Sequence, residues 1–263
     1  MGKYFNVTLK PTITASRQHS SAFAAGDILF DWAPIQVPKG SSRLLSTTAI
    51  IRGTNATDQA AVDMELFFAK SIDGTAPSSL GVLNSAVTAA SAAASEKTGW
   101  FRNVIGRQFF DADANGMGSS DDLVFINTIQ APGNAGGGSL VLSGEPNSGD
   151  NVGFDTIYVA GVAQGDLNFS TTVLARGGIT ADGTSVVPTD AGSDDDPNAD
   201  LVFQPGDIIH TATDQLLGTI KSISAFDTNH QDIILTSGFD VDVANNAELY
   251  NISPIRFEFS FEK

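Results

Sequence analysis

Ile255-Arg-Phe-Glu-Phe-Ser-Phe-Glu262, at the end of the 263-residue chain, decides the fold. Ile255, Phe257, Phe259 and Phe261 fall on one side of an extended strand, and Arg256, Glu258, Ser260 and Glu262 on the other. Alternation with a period of two describes a strand with one buried and one wet face. A face this apolar needs a sheet around it and a second layer against it. The strand is therefore expected to return to a large sheet formed by the first part of the chain.

The same reading extends outward. Tyr4–Leu9 alternates, and Asp27–Trp32 runs toward Pro34 and Pro38, which suit an edge or a turn. Arg43–Arg52 is rich in β-formers and is expected to pair with Val62–Lys70 across the turn cluster Gly53–Asp58. Trp100–Ile105, Leu123–Ile129 and Leu140–Leu142 read as strands, and Thr156–Ala163 with Asn168–Leu174 as a hairpin. Ser85–Lys97 is the one helical candidate, Ala-rich but short, and its Ser and Thr content leaves an ordered surface loop as the alternative. Later come Leu201–Phe203, Ile208–Thr211, Leu216–Ile223, Ile233–Thr236 and Ala247–Tyr250, a set the size of a small barrel.

The fold expected is all-β. An antiparallel sandwich or jelly-roll-like domain covers 1–176, and a linker with an acidic loop covers 177–200. A small barrel-like module covers 201–254, and a strand at 255–263 returns to the first domain. Little helix is expected.

One motif occurs twice. Phe23-Ala-Ala-Gly26-Asp27-Ile28 is echoed by Phe203-Gln-Pro-Gly206-Asp207-Ile208. Gly permits the backbone bend and Asp caps the turn through its own side chain, so each copy launches a strand. Asp27 and Asp207 read as turn caps, not as a duplicated active site.

Composition narrows the function. The net charge of −16 argues against nucleic acid as the main partner, because phosphate binding depends on Lys and Arg. The absence of cysteine removes disulfides and thiolate metal sites. Met1–Val7 does not read as a signal peptide, and no run reads as a membrane span, so a soluble protein is expected. The 17 Phe against 3 Tyr and 2 Trp point to core filling over surface recognition.

Chemistry-bearing motifs are sparse. Asp111-Ala-Asp113-Ala-Asn115-Gly116 matches the first half of a calcium loop, with Asp122 at the twelfth position where Glu is usual. Asp111, Asp113, Asn115 and Asp122 are the candidate calcium ligands; the alternative is a solvated acidic turn. The flanks read as strands, which excludes a helix-loop-helix hand. Asp194–Asp196 and Asp200 form a second acidic cluster, read first as an exposed loop. His19, His210 and His230 lack ligand spacing, and no G-x-S-x-G or phosphate-loop signature is present. No catalytic residue is expected.

Two stretches carry a resemblance. Asp27-Ile-Leu-Phe-Asp31-Trp32, Pro38-Lys-Gly-Ser-Ser-Arg43-Leu-Leu and Ile50-Ile-Arg52-Gly-Thr-Asn55 form the first. Gly206-Asp207-Ile-Ile-His, Gly218-Thr-Ile, Ile233-Ile-Leu-Thr and Glu248-Leu-Tyr-Asn-Ile-Ser-Pro254 form the second. Together they resemble virion structural proteins of marine tailed bacteriophages, particularly those of cyanobacteria. The resemblance implies a β-rich, non-enzymatic particle component present in many copies and made in the host cytoplasm. The charge favours the outer particle surface, as a decoration protein cementing the head. Its partners would be the major capsid protein or neighbouring copies of itself, with no nucleic acid and no membrane. The alternatives are a tail, neck or baseplate component, or a calcium-dependent carbohydrate-binding module resting on Asp111–Asp122. The chain ends, Met1–Lys10 and Ile255–Lys263, are the segments expected to offer strand-addition contacts.

Overall fold

A computed structural model describes residues 3–52, 63–72, 74–87, 99–111, 116–117, 124–130, 140–145, 154–169, 173–191 and 198–263. Among these residues the chain forms three antiparallel sheets of six, five and four strands.

Ile255–Glu262 (β15) alternates strictly between buried and half-buried residues. It lies between Tyr4–Leu9 (β1) and Ser41–Arg52 (β3), antiparallel to both. Phe257 sits beside Leu9 on one side and Ala49 on the other. The far edge of β3 pairs with Val124–Gln130 (β7) and Leu140–Ser143 (β8), and the two-residue strand Gly116–Met117 (β6) extends β7. The facing sheet runs Ile28–Pro38 (β2), Phe154–Ala163 (β9), Met64–Ala69 (β4), Val104–Phe110 (β5).

The two sheets enclose one apolar core, a sandwich. Its centre is aromatic. Phe30 and Phe110 meet Phe257 at 5.6 and 6.2 Å between centroids, and Phe68 meets Phe259 edge-on at 5.8 Å. Such pairs gain about 0.5–1.5 kcal/mol beyond the area they bury. The buried Thr47 hydroxyl donates to Gln108 Oε1 at 2.6 Å, a polar contact joining the sheets. The outer face of the four-stranded sheet is also covered. Ile28, Ala160 and Val162 pack there against Leu80, Leu83, Val87, Trp32 and Trp100.

The five-stranded sheet has its own core. Its order is Val186–Asp190 (β10), His230–Leu235 (β13), Leu216–Ile223 (β12), Ile208–Thr211 (β11), Leu249–Asn251 (β14). Residues 173–176 close it into a barrel. Leu249 N–H donates to Val173 O at 3.1 Å and Ala175 N–H to Ala247 O at 2.8 Å. On the other side Asp190 N–H donates to Leu174 O at 3.1 Å and Arg176 N–H to Pro188 O at 2.8 Å. Among the described residues this closure covers both edges of the five-stranded sheet. The short helix Ala199–Val202 (α2) buries Ala199 and Val202 in the barrel core.

Several sequence expectations are corrected. β3 does not pair with β4; they lie in opposite sheets and face the same core. Both segments alternate with the same period, so alternation alone does not separate neighbours in a sheet from partners across a core. Thr156–Ala163 and Asn168–Leu174 do not form a hairpin. β9 pairs with β2 and β4, Leu167 bridges Phe23, and Leu174 belongs to the barrel seam. The stretch 177–200 is not a bare connection, since β10 pairs with β13 along its length; its acidic residues 194–196 lie outside the described residues. Ser85–Val87 is not helical: Ala86 bridges Asp27, and 88–97 lie outside the described residues. Ala15–Ser20 (α1) is a helix that the sequence reading did not contain.

Candidate functional site

Of the four expected calcium ligands, only Asp111 lies among the described residues. Asp111 follows β5 and is half-buried, whereas Asp113, Asn115 and Asp122 lie outside the described residues. Among the described residues no group of three or more His, Asp or Glu could hold a metal ion. The histidines are separate. His210 Nδ1 lies 3.0 Å from Asp214 O, and His230 starts β13 opposite Asp190. His19, on α1, has Nδ1 2.8 Å from Glu248 Oε2 and 3.1 Å from the Tyr250 hydroxyl, which also donates to Glu248.

The repeated motif builds the same turn twice. Asp27 N–H donates to Ala24 O at 3.0 Å, and Asp207 N–H to Gln204 O at 3.1 Å. Gly26 and Gly206 have φ of +93° and +92°, the third position of a type II turn. Asp27 Oδ2 accepts Ala24 N–H at 2.9 Å, and Asp207 Oδ2 accepts Gln204 N–H at 3.0 Å. Each turn then grips another strand. Gly26 N–H donates to Ala163 O while Ala163 N–H donates to Asp27 O, and Gly206 with Asp207 does the same to Ile220, all four at 2.8 Å. Phe23 and Phe203 are buried beneath their turns.

The two copies differ in surroundings. Asp27 is half-buried, whereas the Asp207 side chain is 4% exposed at the seam between sandwich and barrel. Lys10, just after β1, brings Nζ to 3.9 Å from Asp207 Oδ1. Burial pushes the Asp207 carboxyl above its ordinary value of 3.8, against the pull of the Gln204 hydrogen bond and the positive charges of Lys10 and Arg52.

The N-terminal segment stitches this seam. Ile13 N–H donates to Ile252 O at 2.7 Å, and Gln18 Nε2 donates to Ile13 O at 2.6 Å and Asn251 O at 2.8 Å. Ser16 N–H donates to Asp214 Oδ1 at 3.0 Å. A small cleft opens beside these contacts. Lys10, Arg52 and Arg256 line it with Asp207, Gln204 and Asn251. Sequence reasoning named Asp207 only as a turn cap and missed the cationic residues. They stand on three different strands' worth of chain, and no local spacing links residues 10, 52 and 256.

Comparison with family models, with curated proteins and with solved structures gave no match. Among the described residues no helix is long and apolar enough to cross a membrane.

Proposed function

We propose that this chain is a non-enzymatic structural protein of a tailed-phage virion that decorates or cements the outer head. One observation carries the reading: β1 forms the edge of the six-stranded sheet, and among the described residues nothing pairs with its outer side. Lys3 and Lys263 exchange both of their backbone hydrogen bonds, at 3.2 and 2.9 Å. In an antiparallel ladder the bonded positions alternate, so Tyr4, Asn6 and Thr8 turn their N–H and C=O groups outward. Tyr4 is 72% exposed. An open edge of this kind accepts a strand from a neighbour by main-chain hydrogen bonds. The other chain end is not available in this way, because β15 lies inside its sheet.

The charge of −16 supports a place outside the DNA-filled head, since packaged phosphate repels an acidic chain. Modest contacts repeated over many copies of the major capsid protein, or of this chain, would give firm attachment through avidity. The resemblance to virion proteins of marine tailed phages supports the same role. Immunogold labelling of purified particles with antibody to this chain tests it. Label over the head exterior is the expected result; label confined to the tail or neck overturns the placement, and no label overturns the reading.

A further inference from the structure

Lys10, Arg52 and Arg256 share the outward face of three adjacent strands. Arg256 of β15 is in register with Ile50 of β3, and Arg52 lies two residues further along that face. On the other side Leu9 is in register with Phe257, and Lys10 follows it. Diagonal neighbours on one sheet face stand roughly 7–8 Å apart, and like charges so placed repel. Three cations converge in this way on a chain that has only 14 Lys and Arg against 30 Asp and Glu.

The carboxylates nearby meet them only in part: Lys10 pairs with Asp207 at 3.9 Å and Arg256 with Glu258 at 3.3 Å, and neither contact is a hydrogen bond. Glu258 Oε2 accepts the Thr8 hydroxyl at 2.7 Å, and its Oε1 lies 3.3 Å from Arg256 Nε, off hydrogen-bond geometry. Arg256 Nε is buried and has no hydrogen-bond partner among the described residues. Asp207 is engaged by the Gln204 amide and disfavoured as an anion by burial. Arg256 Nε thus keeps an unused donor, compensated only by the ion pair with Glu258. The residues round it leave a cleft that Gln204, Asn251, Ser253 and Pro254 also line.

We propose that this cleft, between the sandwich and the barrel, is a binding site for one carboxylate group, held by Arg52 and Arg256 with Lys10 at its mouth. Guanidinium forks match the planar carboxylate, which a single ammonium does not. The carboxylate comes either from a free small acid or from an Asp or Glu of a second copy of this chain. The site does not depend on a virion role.

Sodium acetate is the probe, added to the full chain at constant ionic strength. The readout is the set of arginine Nε–Hε resonances. The Arg52 and Arg256 signals are expected to shift saturably with acetate and not with sodium chloride. Arg52→Gln should weaken the Arg256 response about tenfold or more, the loss of one charge-assisted pair. Lys10→Gln, at a more exposed position, provides a second variant and should weaken it less. Light scattering separates the sources. If a second copy supplies the group, the wild-type chain associates as its concentration rises, acetate disperses it and Arg52→Gln stays monomeric. If a free acid does, the chain is monomeric throughout. Shifts that are linear in acetate, equal in chloride, or unchanged in Arg52→Gln overturn the proposal.

Discussion

Lys10 Nζ stands 3.9 Å from Asp207 Oδ1, so the end of the first strand meets the second Gly-Asp turn across the seam of sandwich and barrel. The pair is unequal: Lys10 keeps access to water, and Asp207 is buried. Desolvation outweighs the attraction and raises the Asp207 carboxyl from its ordinary 3.8. A carboxyl raised on folding binds its proton more tightly in the native state. Its contribution to stability is therefore full below 3.8 and fades as pH rises through the folded value. Asp207→Asn keeps an oxygen for the Gln204 amide and removes the titration. Chemical denaturation across the acid range should show a flatter pH dependence in the variant than in wild type, from 3.8 upward. Parallel curves would contradict the assignment.

The twin turns give a second prediction. Gly26 and Gly206 adopt positive φ, and an added Cβ at either position meets nothing within 4 Å. Any loss on substitution by Ala is thus backbone strain alone. Gly26→Ala and Gly206→Ala should each cost about 1–2 kcal/mol, the penalty of the left-handed region for a residue with a Cβ. The two values should agree closely, since the turns share their hydrogen bonds. A large difference between the two melting shifts would show that the copies are not equivalent.

Gly161 presents the opposite case. A Cβ there would lie 2.2 Å from Phe30 Cε1. Phe30 is itself buried against Phe257, so the ring has little room to yield. Gly161→Ala should destabilise by about 1–3 kcal/mol through overpacking. Adding Phe30→Leu should recover part of that loss. Additive losses in the double variant would mean that the clash is relieved elsewhere.

The β class of the fold was legible because period-two alternation is local: β15 could be read from eight residues. The pairing of strands was not. β3 and β4 carry the same pattern, and only the three-dimensional arrangement of the Phe257–Phe259–Phe261 face puts them in opposite sheets. The Gly-Asp turns were readable, since Pro205-Gly206 and Ala25-Gly26 announce a bend within four residues. The cleft was not, because Lys10, Arg52 and Arg256 meet only after β1 and β3 flank β15. The helix α1 escaped for a related reason. Gln18 is fixed by carbonyls of Ile13 and Asn251, one of them 233 residues away in sequence.

Residues 173–175 and 246–249 pair at the barrel seam, so the chain enters and leaves the barrel at nearly one place. The barrel has its own core, and a closed unit of this size reaches the range in which domains fold alone. A fragment spanning 173–252 should give a β-type circular dichroism spectrum and a cooperative melt. It should be less stable than in the whole chain, having lost the contacts of Ile13 and Gln18 with Ile252 and Asn251. A fragment without a cooperative transition would mean that the sandwich is needed to close the barrel.

Asn6 and Val7 are neighbours on β1 with opposite duties. Val7 stands opposite Phe259 in the ladder to β15, at a position whose N–H is bonded inward, while Asn6 turns its N–H to the open edge. Proline removes one N–H in each case, but only one of them is in use within the chain. Val7→Pro breaks a ladder bond beside the aromatic core and should destabilise the protein by about 1–3 kcal/mol, the cost of leaving a buried partner unsatisfied. Asn6→Pro is the kind of proline that edge strands tolerate, so the circular dichroism spectrum and melting temperature should stay close to wild type. What it should lose is strand addition. Quantitative mass spectrometry of purified particles should find Asn6→Pro depleted relative to wild type, while a surface change elsewhere, such as Leu216→Ser, is retained. Equal incorporation of Asn6→Pro would show that the β1 edge is not the attachment surface.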